Sequence, residues 1–316
     1  MSQATLLIEI GCEDLPARFV QPLAQALGEG IAQGLDSAHV PRGSARAFAT
    51  PRRIAVQIAE VATEQPEQRI QRQGPAVTAA LRDGQPTPAG LGFAKSCGVE
   101  FEALERRPTD KGEYLFFAST QAGQALSELL PGIFEQCLKQ TDRLVPKRMR
   151  WGSGDATFVR PVQWLCALHG AAVVPLSAFG LQASGQSYGH RFHAPAPIPL
   201  ADADSYEPAL REAKVWADFT ARRAAIAAMV QAEGAKLGGQ ARVDADLLDE
   251  VTALVEWPAP ISGQFDQRFL EVPAEAIVLT IEEHQRYFPV FDKQGQLLPA
   301  FVTVANLESA DPTQVV

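Results

Sequence analysis

The densest group of side chains that could do chemistry lies between Pro146 and Val162. Cations and aromatic rings alternate there within a chain that is otherwise acidic; they are Lys147, Arg148, Arg150, Trp151, Phe158 and Arg160. Guanidinium groups pair with phosphate oxygens, and aromatic faces accept stacked bases. The segment therefore predicts a nucleic-acid surface, with a solvated or salt-bridged face as the alternative.

A second pair of candidate phosphate ligands, Arg52 and Arg53, stands at the start of an alternating segment, 53–61. From 41 to 59 the chain has four arginines and no acid, whereas 244–275 holds eight acids and the single cation Arg268. This uneven charge indicates one face that meets a polyanion and another that meets a protein or solvent.

Histidines are dense only in the segment 188–193, where Arg191 stands between His190 and His193. His190 is predicted to have a structural or an RNA-facing role, and Arg191 is predicted to face RNA. The alternative is a hydrolase that uses His190 or His193 with a cysteine. No acid or cysteine stands at metal-ligand spacing from them, so no metal site is predicted. The motifs of phosphate-binding loops, dinucleotide folds, zinc proteases and esterases are absent, and no catalytic residue is assigned.

Composition limits the class of protein. A length of 316 residues predicts about two domains, and a net charge of −9 argues against indiscriminate nucleic-acid binding. No apolar run approaches the roughly 20 residues that cross a bilayer, and the start lacks the pattern of a signal peptide, so a cytoplasmic protein without a membrane partner is expected. The four cysteines are scattered, which predicts buried thiols and neither disulfides nor zinc.

Hydrophobic periodicity predicts an α+β fold of two mixed or antiparallel sheet domains with packed helices, 1–145 and 146–316. Proline and glycine in the polar run 64–88 indicate a long exposed connection. Trp164 and Trp257 are predicted core residues. The predicted strands are 5–11, 53–61, 162–168, 172–176, 287–291 and 301–304; a hairpin turn is predicted at 109–112, and helices at 22–35, 126–138, 218–237 and 247–255.

Ten motifs follow one another in a fixed order. They are Ile8-Glu9-Ile10-Gly11-Cys12-Glu13-Asp14-Leu15-Pro16, Thr50-Pro51-Arg52-Arg53-Ile54-Ala55, Gly74-Pro75, Thr109-Asp110-Lys111-Gly112-Glu113, Lys147-Arg148-Met149-Arg150-Trp151-Gly152, Phe158-Val159-Arg160-Pro161-Val162, Gly189-His190-Arg191-Phe192, Leu254-Val255-Glu256-Trp257-Pro258, Phe269-Leu270-Glu271-Val272-Pro273-Ala274-Glu275 and Gln285-Arg286-Tyr287-Phe288-Pro289-Val290. Together they resemble the amino-terminal portion of the beta subunit of bacterial heterotetrameric glycyl-tRNA synthetase.

This resemblance implies an aminoacyl-tRNA synthetase of two alpha and two beta subunits. The alpha subunit of the family holds the active site and uses ATP and Mg²⁺, while the beta subunit recognises and positions tRNA(Gly). The chain is then expected to bind tRNA and the alpha subunit, to bind no cofactor or DNA, and to be non-catalytic by itself. The tRNA-binding candidates are Arg52, Arg53, Lys147, Arg148, Arg150, Trp151, Arg160, His190 and Arg191.

The resemblance also implies architecture. The second half is similar to the editing-region module of the larger subunit of phenylalanyl-tRNA synthetase. Family members continue into an HD-type helical domain and an anticodon-binding domain, neither of which can be placed on this chain, so the chain is expected to be a portion of such a subunit. A further interpretation is a structural interaction module whose partner face is the acidic segment 244–275.

Overall fold

A computed structural model describes residues 2–82 and 84–309, with the backbone alone at positions 68–70 and 121. Within this part the chain forms eight α-helices and twenty strands. The helices are α1 (Ala17–Ser37), α2 (Val77–Ala80), α3 (Pro88–Cys97), α4 (Leu126–Thr141), α5 (Tyr206–Glu212), α6 (Phe219–Lys236), α7 (Ala245–Leu254) and α8 (Ala274–Leu279). The strands are β1 (Gln3–Cys12), β2 (Ala45–Thr50), β3 (Arg53–Ala62), β4 (Gln68–Ala76), β5 (Leu81–Arg82), β6 (Gln85–Pro86), β7 (Glu105–Thr109), β8 (Gly112–Gln121), β9 (Met149–Arg150), β10 (Thr157–Phe158), β11 (Val162–His169), β12 (Ala172–Val173), β13 (Ser177–Ala178), β14 (Leu181–Gln182), β15 (Gln186–Tyr188), β16 (Pro197–Pro199), β17 (Gln240–Ala241), β18 (Ala259–Gln264), β19 (Phe288–Phe291) and β20 (Leu297–Ala305).

Contacts divide the chain into two compact units. Among the described residues, the inserted unit lies within 64–126, and the main unit consists of residues 2–63 and 127–309. The structure therefore divides the chain differently from the predicted halves 1–145 and 146–316. The reason is that β1, at the start of the chain, pairs with β11, and both lie in one sheet of the main unit.

The first sheet of the main unit has the order β12-β11-β1-β3-β2, and every neighbouring pair is antiparallel. The central strand β1 has seven consecutive buried residues, as expected for a strand covered on both faces. On one face α1 packs against β2 and β3, with Gly28 close to Val56. On the other face Tyr206 and Leu210 of α5 join a buried cluster with Phe48. The strands predicted at 5–11, 53–61 and 162–168 are confirmed, whereas the predicted strand 172–176 is shorter and the predicted helix 22–35 begins earlier, at residue 17.

The second sheet of the main unit has the order β17-β19-β20-β18, with α6 and α7 packed on it. Asp218 caps α6, because its carboxylate accepts a hydrogen bond from the amide of Ala221 at 2.9 Å. The buried guanidinium of Arg222 donates to the carbonyls of Ala49 in β2, at 2.7 Å, and of Thr252 in α7, at 3.2 Å. This arginine therefore joins α6 and α7 to the first sheet.

The inserted unit is built on a three-stranded antiparallel sheet of order β4-β8-β7. The hairpin predicted at 109–112 is confirmed by β7 and β8. The polar run 64–88 is not a long connection without regular structure, because its residues 68–76 form β4 and pair with β8. Local proline and glycine content cannot reveal a partner strand that follows more than thirty residues later.

The fold is of the predicted α+β class, since all pairs between named strands of the described residues are antiparallel and helices pack on the sheets. None of the helices in residues 2–82 and 84–309 combines the length and the apolar character that crossing a membrane requires.

Candidate functional site

The turn between β2 and β3 carries two neighbouring arginines that differ in burial. Pro51 and Arg52 form the turn, and Arg53 begins β3. The side chain of Arg53 has no exposed surface, whereas that of Arg52 keeps 14% of its surface exposed. The structure thus places Arg53, a predicted phosphate ligand, inside the main unit.

Buried carboxylates hold Arg53 in this position. Its Nη1 lies 3.7 Å from Oε2 of Glu9 and donates to Oγ of Ser187 at 3.1 Å. Its Nη2 donates to Oε1 of Glu256 at 3.3 Å, and the same oxygen accepts a hydrogen bond from Thr50 at 2.7 Å. Ion pairs and hydrogen bonds of this kind offset the cost of burying a guanidinium. The partners come from β1, β15 and the segment after α7, so no local pattern around Arg53 could show them.

The two arginines differ in their electrostatic environment. Burial acts to lower the pKa of Arg53, but the charges of Glu256 and Glu9 more than offset it and the pKa is raised. For Arg52, burial lowers the pKa even though Glu256, 3.8 Å away, acts to raise it. Arg52 donates to the carbonyl of Gly189 at 3.4 Å and lies over the ring of Trp164, whose predicted core position is confirmed. Arg52 therefore lies at the margin of the buried network.

His190 is also buried, in the loop that follows β15. Its Nδ1 accepts hydrogen bonds from the amides of Phe192 and His193, both at 3.3 Å, so Nε2 carries the hydrogen and donates to the carbonyl of Asn306 at 2.6 Å. Burial lowers the pKa of His190 and favours this neutral ring. Both ring nitrogens are thus engaged by backbone groups, and the predicted RNA-facing side chain points inward.

The next two residues of this loop are exposed. Arg191 is ion-paired with Glu13 at 2.6 Å and lies 3.6 Å from a carboxylate oxygen of Asp14. Phe192 is 69% exposed, the largest exposed fraction among the large apolar side chains of the described chain. Sequence reasoning missed Phe192, because a single aromatic residue carries no signal of its exposure. Phe192 places an aromatic face beside the predicted cation Arg191.

The basic segment forms a small hairpin of β9 and β10. Arg148 is ion-paired with Asp142, and Nη1 of Arg150 donates to the carbonyl of Gly154 at 3.0 Å. The half-buried ring of Trp151 packs 6.4 Å from that of Phe179, centroid to centroid. Lys147 is exposed. The hairpin therefore displays its cations at the surface, as predicted.

Arg160 joins the hairpin to the loop that carries Arg191. Its Nη1 donates to Sδ of Met149 at 3.5 Å, and its Nε donates to the backbone carbonyl of Asp14 at 3.1 Å. Asp14 in turn lies against Arg191. We call the resulting group the basic edge; its members are Lys147, Arg148, Arg150, Arg160 and Arg191.

The basic edge is suited to binding a polyanion. Within the described residues, Lys147, Arg150 and Arg160 have no carboxylate within 4.0 Å, whereas Arg148 and Arg191 are ion-paired. Cations without a carboxylate partner can contact phosphates.

The thiols near this region are not activated nucleophiles. Burial raises the pKa of Cys12 and of Cys166 well above the usual range, and it raises that of Cys137 to about 11. These thiols therefore stay protonated at neutral pH. In the part of the chain that the structure describes, no three histidine, cysteine or acidic side chains are grouped as a metal site.

Comparison with known proteins supports the family resemblance that the ordered motifs indicate. Residues 6–316 match a family model described as glycyl-tRNA synthetase beta subunit. The glycine–tRNA ligase beta subunits of Chromohalobacter salexigens, Marinobacter nauticus and Hahella chejuensis are 48%, 45% and 44% identical to the chain. Each of these matches covers 100% of the chain and 46% of the relative, so the chain spans about half the length of the curated relatives it matches. The chain belongs to the glycyl-tRNA synthetase beta subunit family.

Proposed function

We propose that the chain is the portion of a glycine–tRNA ligase beta subunit that contacts tRNA and the alpha subunit. It supports ATP-dependent glycylation of tRNA(Gly) in the cytoplasm, while ATP and Mg²⁺ are used by the alpha subunit. The observation that carries the tRNA contact is the set of three cations without carboxylate partners in the basic edge, beside the exposed ring of Phe192. Family membership supports the reaction.

In this proposal Lys147, Arg150 and Arg160 contact tRNA phosphates. Arg148 and Arg191 must first exchange their carboxylate partners and therefore contribute less. Holding the tRNA in a fixed orientation brings its terminal hydroxyl to the activated glycine on the alpha subunit, which replaces a bimolecular encounter by an oriented one. The rate effect is one of positioning, and the chain needs no catalytic residue for it.

Arg52, Arg53 and His190 have a supporting role in this proposal. Arg52 donates to the carbonyl of Gly189, and His190 accepts from two amides of its own loop. Both contacts fix the loop that presents Arg191 and Phe192. These residues are therefore left out of the tRNA-contacting surface.

The test is a binding measurement with the whole chain and a fluorescently labelled tRNA(Gly) transcript. The variant Arg150→Ala/Arg160→Ala should bind the transcript about tenfold more weakly, and the slope of log K against log salt should fall by about 1 for each lost phosphate contact. The matched control is Arg268→Ala, which removes an exposed arginine paired with Asp266 elsewhere in the main unit. Equal affinities of the double variant and the control would remove the basic edge from the proposal.

A groove in the main unit supports the contact with the alpha subunit. It has a volume of about 340 Å³ and apolar walls that include Phe265, Phe269, Val272 and Ile277. Phe269 is 48% exposed and Val272 is 45% exposed. Exposed apolar side chains gathered around a concave surface are typical of protein contact sites.

The margin of the groove indicates the chemistry of its occupant. Glu271 and Glu275 are exposed there and have no cation within 4.0 Å among the described residues. A segment of the alpha subunit with apolar side chains flanked by lysine or arginine fits both the walls and the charge. This choice agrees with the acidic partner face predicted from the sequence at 244–275.

Co-purification of the chain with the alpha subunit tests the groove. Phe269→Asp should abolish association, because it places a charge where an apolar side chain is to be buried, while tRNA affinity should stay unchanged. Leu91→Asp, at an equally exposed leucine of α3 in the inserted unit, serves as the control. Full association of the Phe269 variant would show that the alpha subunit binds elsewhere.

We also propose that the second half of the chain shares its architecture with the editing-region module of the phenylalanyl-tRNA synthetase larger subunit. The support is the antiparallel sheet β17-β19-β20-β18 with α6 and α7 packed on one face. Superposition on a solved structure of that module tests the proposal, which fails if strand order or helix placement differs.

A further inference from the structure

Two tryptophans of the main unit lie side by side after α5 and after α7. The amide of Trp216 donates to the carbonyl of Glu256 at 2.9 Å, which brings Trp216 next to Trp257. Lys214 has a left-handed backbone conformation, φ 60°, and this turn follows the end of α5. Trp257, predicted as a core residue, is only half-buried.

Two cations lie on these rings. The guanidinium carbon of Arg211 is 3.5 Å from the ring centroid of Trp216 and 5.0 Å from that of Trp257. Nζ of Lys214 is 4.5 Å from the centroid of Trp257. Cation–π contacts of this kind hold a cation in place without neutralising its charge.

Neither cation has a carboxylate within 4.0 Å among the described residues. Two acids lie at this cluster and already have partners: Glu207 pairs with Arg46 at 2.9 Å, and Glu308 accepts a hydrogen bond from Nε1 of Trp257 at 3.0 Å. Burial lowers the pKa of Arg211 although Glu207 acts to raise it. Arg211 and Lys214 therefore keep donors available for an anion.

A hollow of about 360 Å³ opens beside Arg211. Pro208 and Trp216 give it apolar walls, and Glu207 adds a hydrogen-bond acceptor. A planar base can stack on an apolar ring, and a carboxylate can accept a hydrogen bond from an exocyclic amine. The hollow and the two cations together match one nucleotide.

This cluster is connected to the loop of the basic edge. The amide of Glu308 donates to Nε2 of His193 at 3.2 Å, and His193 follows the exposed Phe192. Glu308 therefore joins the loop 190–193 to Trp257 through two hydrogen bonds.

We propose that Arg211, Lys214, Trp216 and Trp257 form a site for an unpaired RNA nucleotide, with its phosphate on the two cations and its base in the hollow. The inference rests on the proposed tRNA contact and extends it to a second, separate surface. Stacking and the hollow select a single strand, because the bases of a duplex are not free to enter.

The experiment uses the whole chain with two labelled probes, a short oligocytidine RNA and a paired RNA duplex of the same length. Arg211→Gln/Lys214→Asn removes both charges and keeps a residue that tolerates the left-handed turn. It should weaken binding of the oligocytidine about tenfold and binding of the duplex much less. The oligocytidine should also quench tryptophan fluorescence of the parent chain, and Trp216→Leu should reduce the quench. Arg223→Gln, at an exposed arginine paired with Asp249, is the matched control.

The outcomes of this experiment test the site independently of the proposed function. Unchanged oligocytidine affinity in a double variant that unfolds at the parental temperature overturns the site, even if Arg150→Ala/Arg160→Ala has lost tRNA affinity. Loss of oligocytidine affinity supports the site, even if the basic-edge variant binds tRNA normally. Equal weakening of duplex and oligocytidine also overturns it, because a general cation patch is then sufficient.

Discussion

At the scale of the residue, the environment of an arginine decides its role. Arg53 is enclosed by Glu9 and Glu256, whereas Arg150 and Arg160 meet only backbone carbonyls and a thioether. The first belongs to a structural ion pair, and we propose that the other two contact tRNA. All three arginines carry the same formal charge, so the sequence alone does not distinguish their environments.

Replacing Arg53 tests this distinction. Arg53→Met should lower the free energy of unfolding by about 3–5 kcal/mol, because it leaves two buried carboxylates without their cation. Arg148→Met, at an exposed pair with Asp142, should change it by less than about 1 kcal/mol. Chemical denaturation measures both. A stable Arg53 variant with reduced tRNA affinity would show instead that Arg53 reaches the ligand.

The neutral ring of His190 makes the stability of the folded chain depend on pH. Burial lowers its folded pKa below the ordinary 6.5, while the charge of Glu256 acts to raise it and that of His193 to lower it. The unfolded chain then binds more protons, so stability is lost as the pH falls below about 6.5. His190→Gln should show a shallower loss in urea unfolding between about pH 7.5 and 5.5. Parallel profiles of variant and parent would contradict this assignment.

The sequence predicted which residue types form the candidate site but not their exposure. Lys147 and Arg150 are exposed, and Arg160 is half-buried beside the hairpin of β9 and β10. The burial of Arg53 depends on Glu256, which is 203 positions away. Contacts at that separation leave no periodic signal in the sequence.

At the scale of the element, the strands and helices with strong hydrophobic periodicity could be predicted from the sequence. One glycine explains a close contact between two of these strands. Gly11 of β1 stands opposite Trp164 of β11. A Cβ at Gly11 would lie 1.8 Å from the Trp164 ring, which is held by a hydrogen bond to Glu9. The missing side chain of Gly11 therefore makes room for the ring.

The strand β4 was not predicted from the sequence, because its stability comes from pairing with β8 and not from its own composition.

Gly11→Ala should destabilise the chain by about 1–3 kcal/mol, since the ring cannot move without losing its hydrogen bond. Gly132→Ala is the matched control, because a Cβ there meets nothing within 4 Å and α4 gains about 0.5–1 kcal/mol from the better helix former. Thermal unfolding should thus shift in opposite directions. A shift in the same direction for both would refute the packing argument.

At the scale of the whole molecule, the inserted unit interrupts the main unit at one place. Its ends are neighbours, since Glu64 bridges Ala125 and the amide of Gln65 donates to the carbonyl of Gln124 at 3.0 Å. A unit with adjacent ends and its own core, which includes Ala94 and Leu115, can be exchanged for a short linker.

Replacing residues 66–123 by a short glycine–serine linker should leave a main unit that unfolds in one cooperative transition. Because the basic edge lies entirely in the main unit, tRNA affinity should stay within roughly twofold of the parent. Circular dichroism and the binding measurement check both expectations. A folded variant that no longer binds tRNA would assign the contact to the inserted unit.

Amide hydrogen exchange of the whole chain, alone and with tRNA(Gly), tests the central claim most directly. The account predicts slower exchange in 147–160 and 189–193 when tRNA is added, with the groove segment 265–281 unchanged until the alpha subunit is present. Exchange that stays unchanged in 147–160 and 189–193 at saturating tRNA would contradict the account.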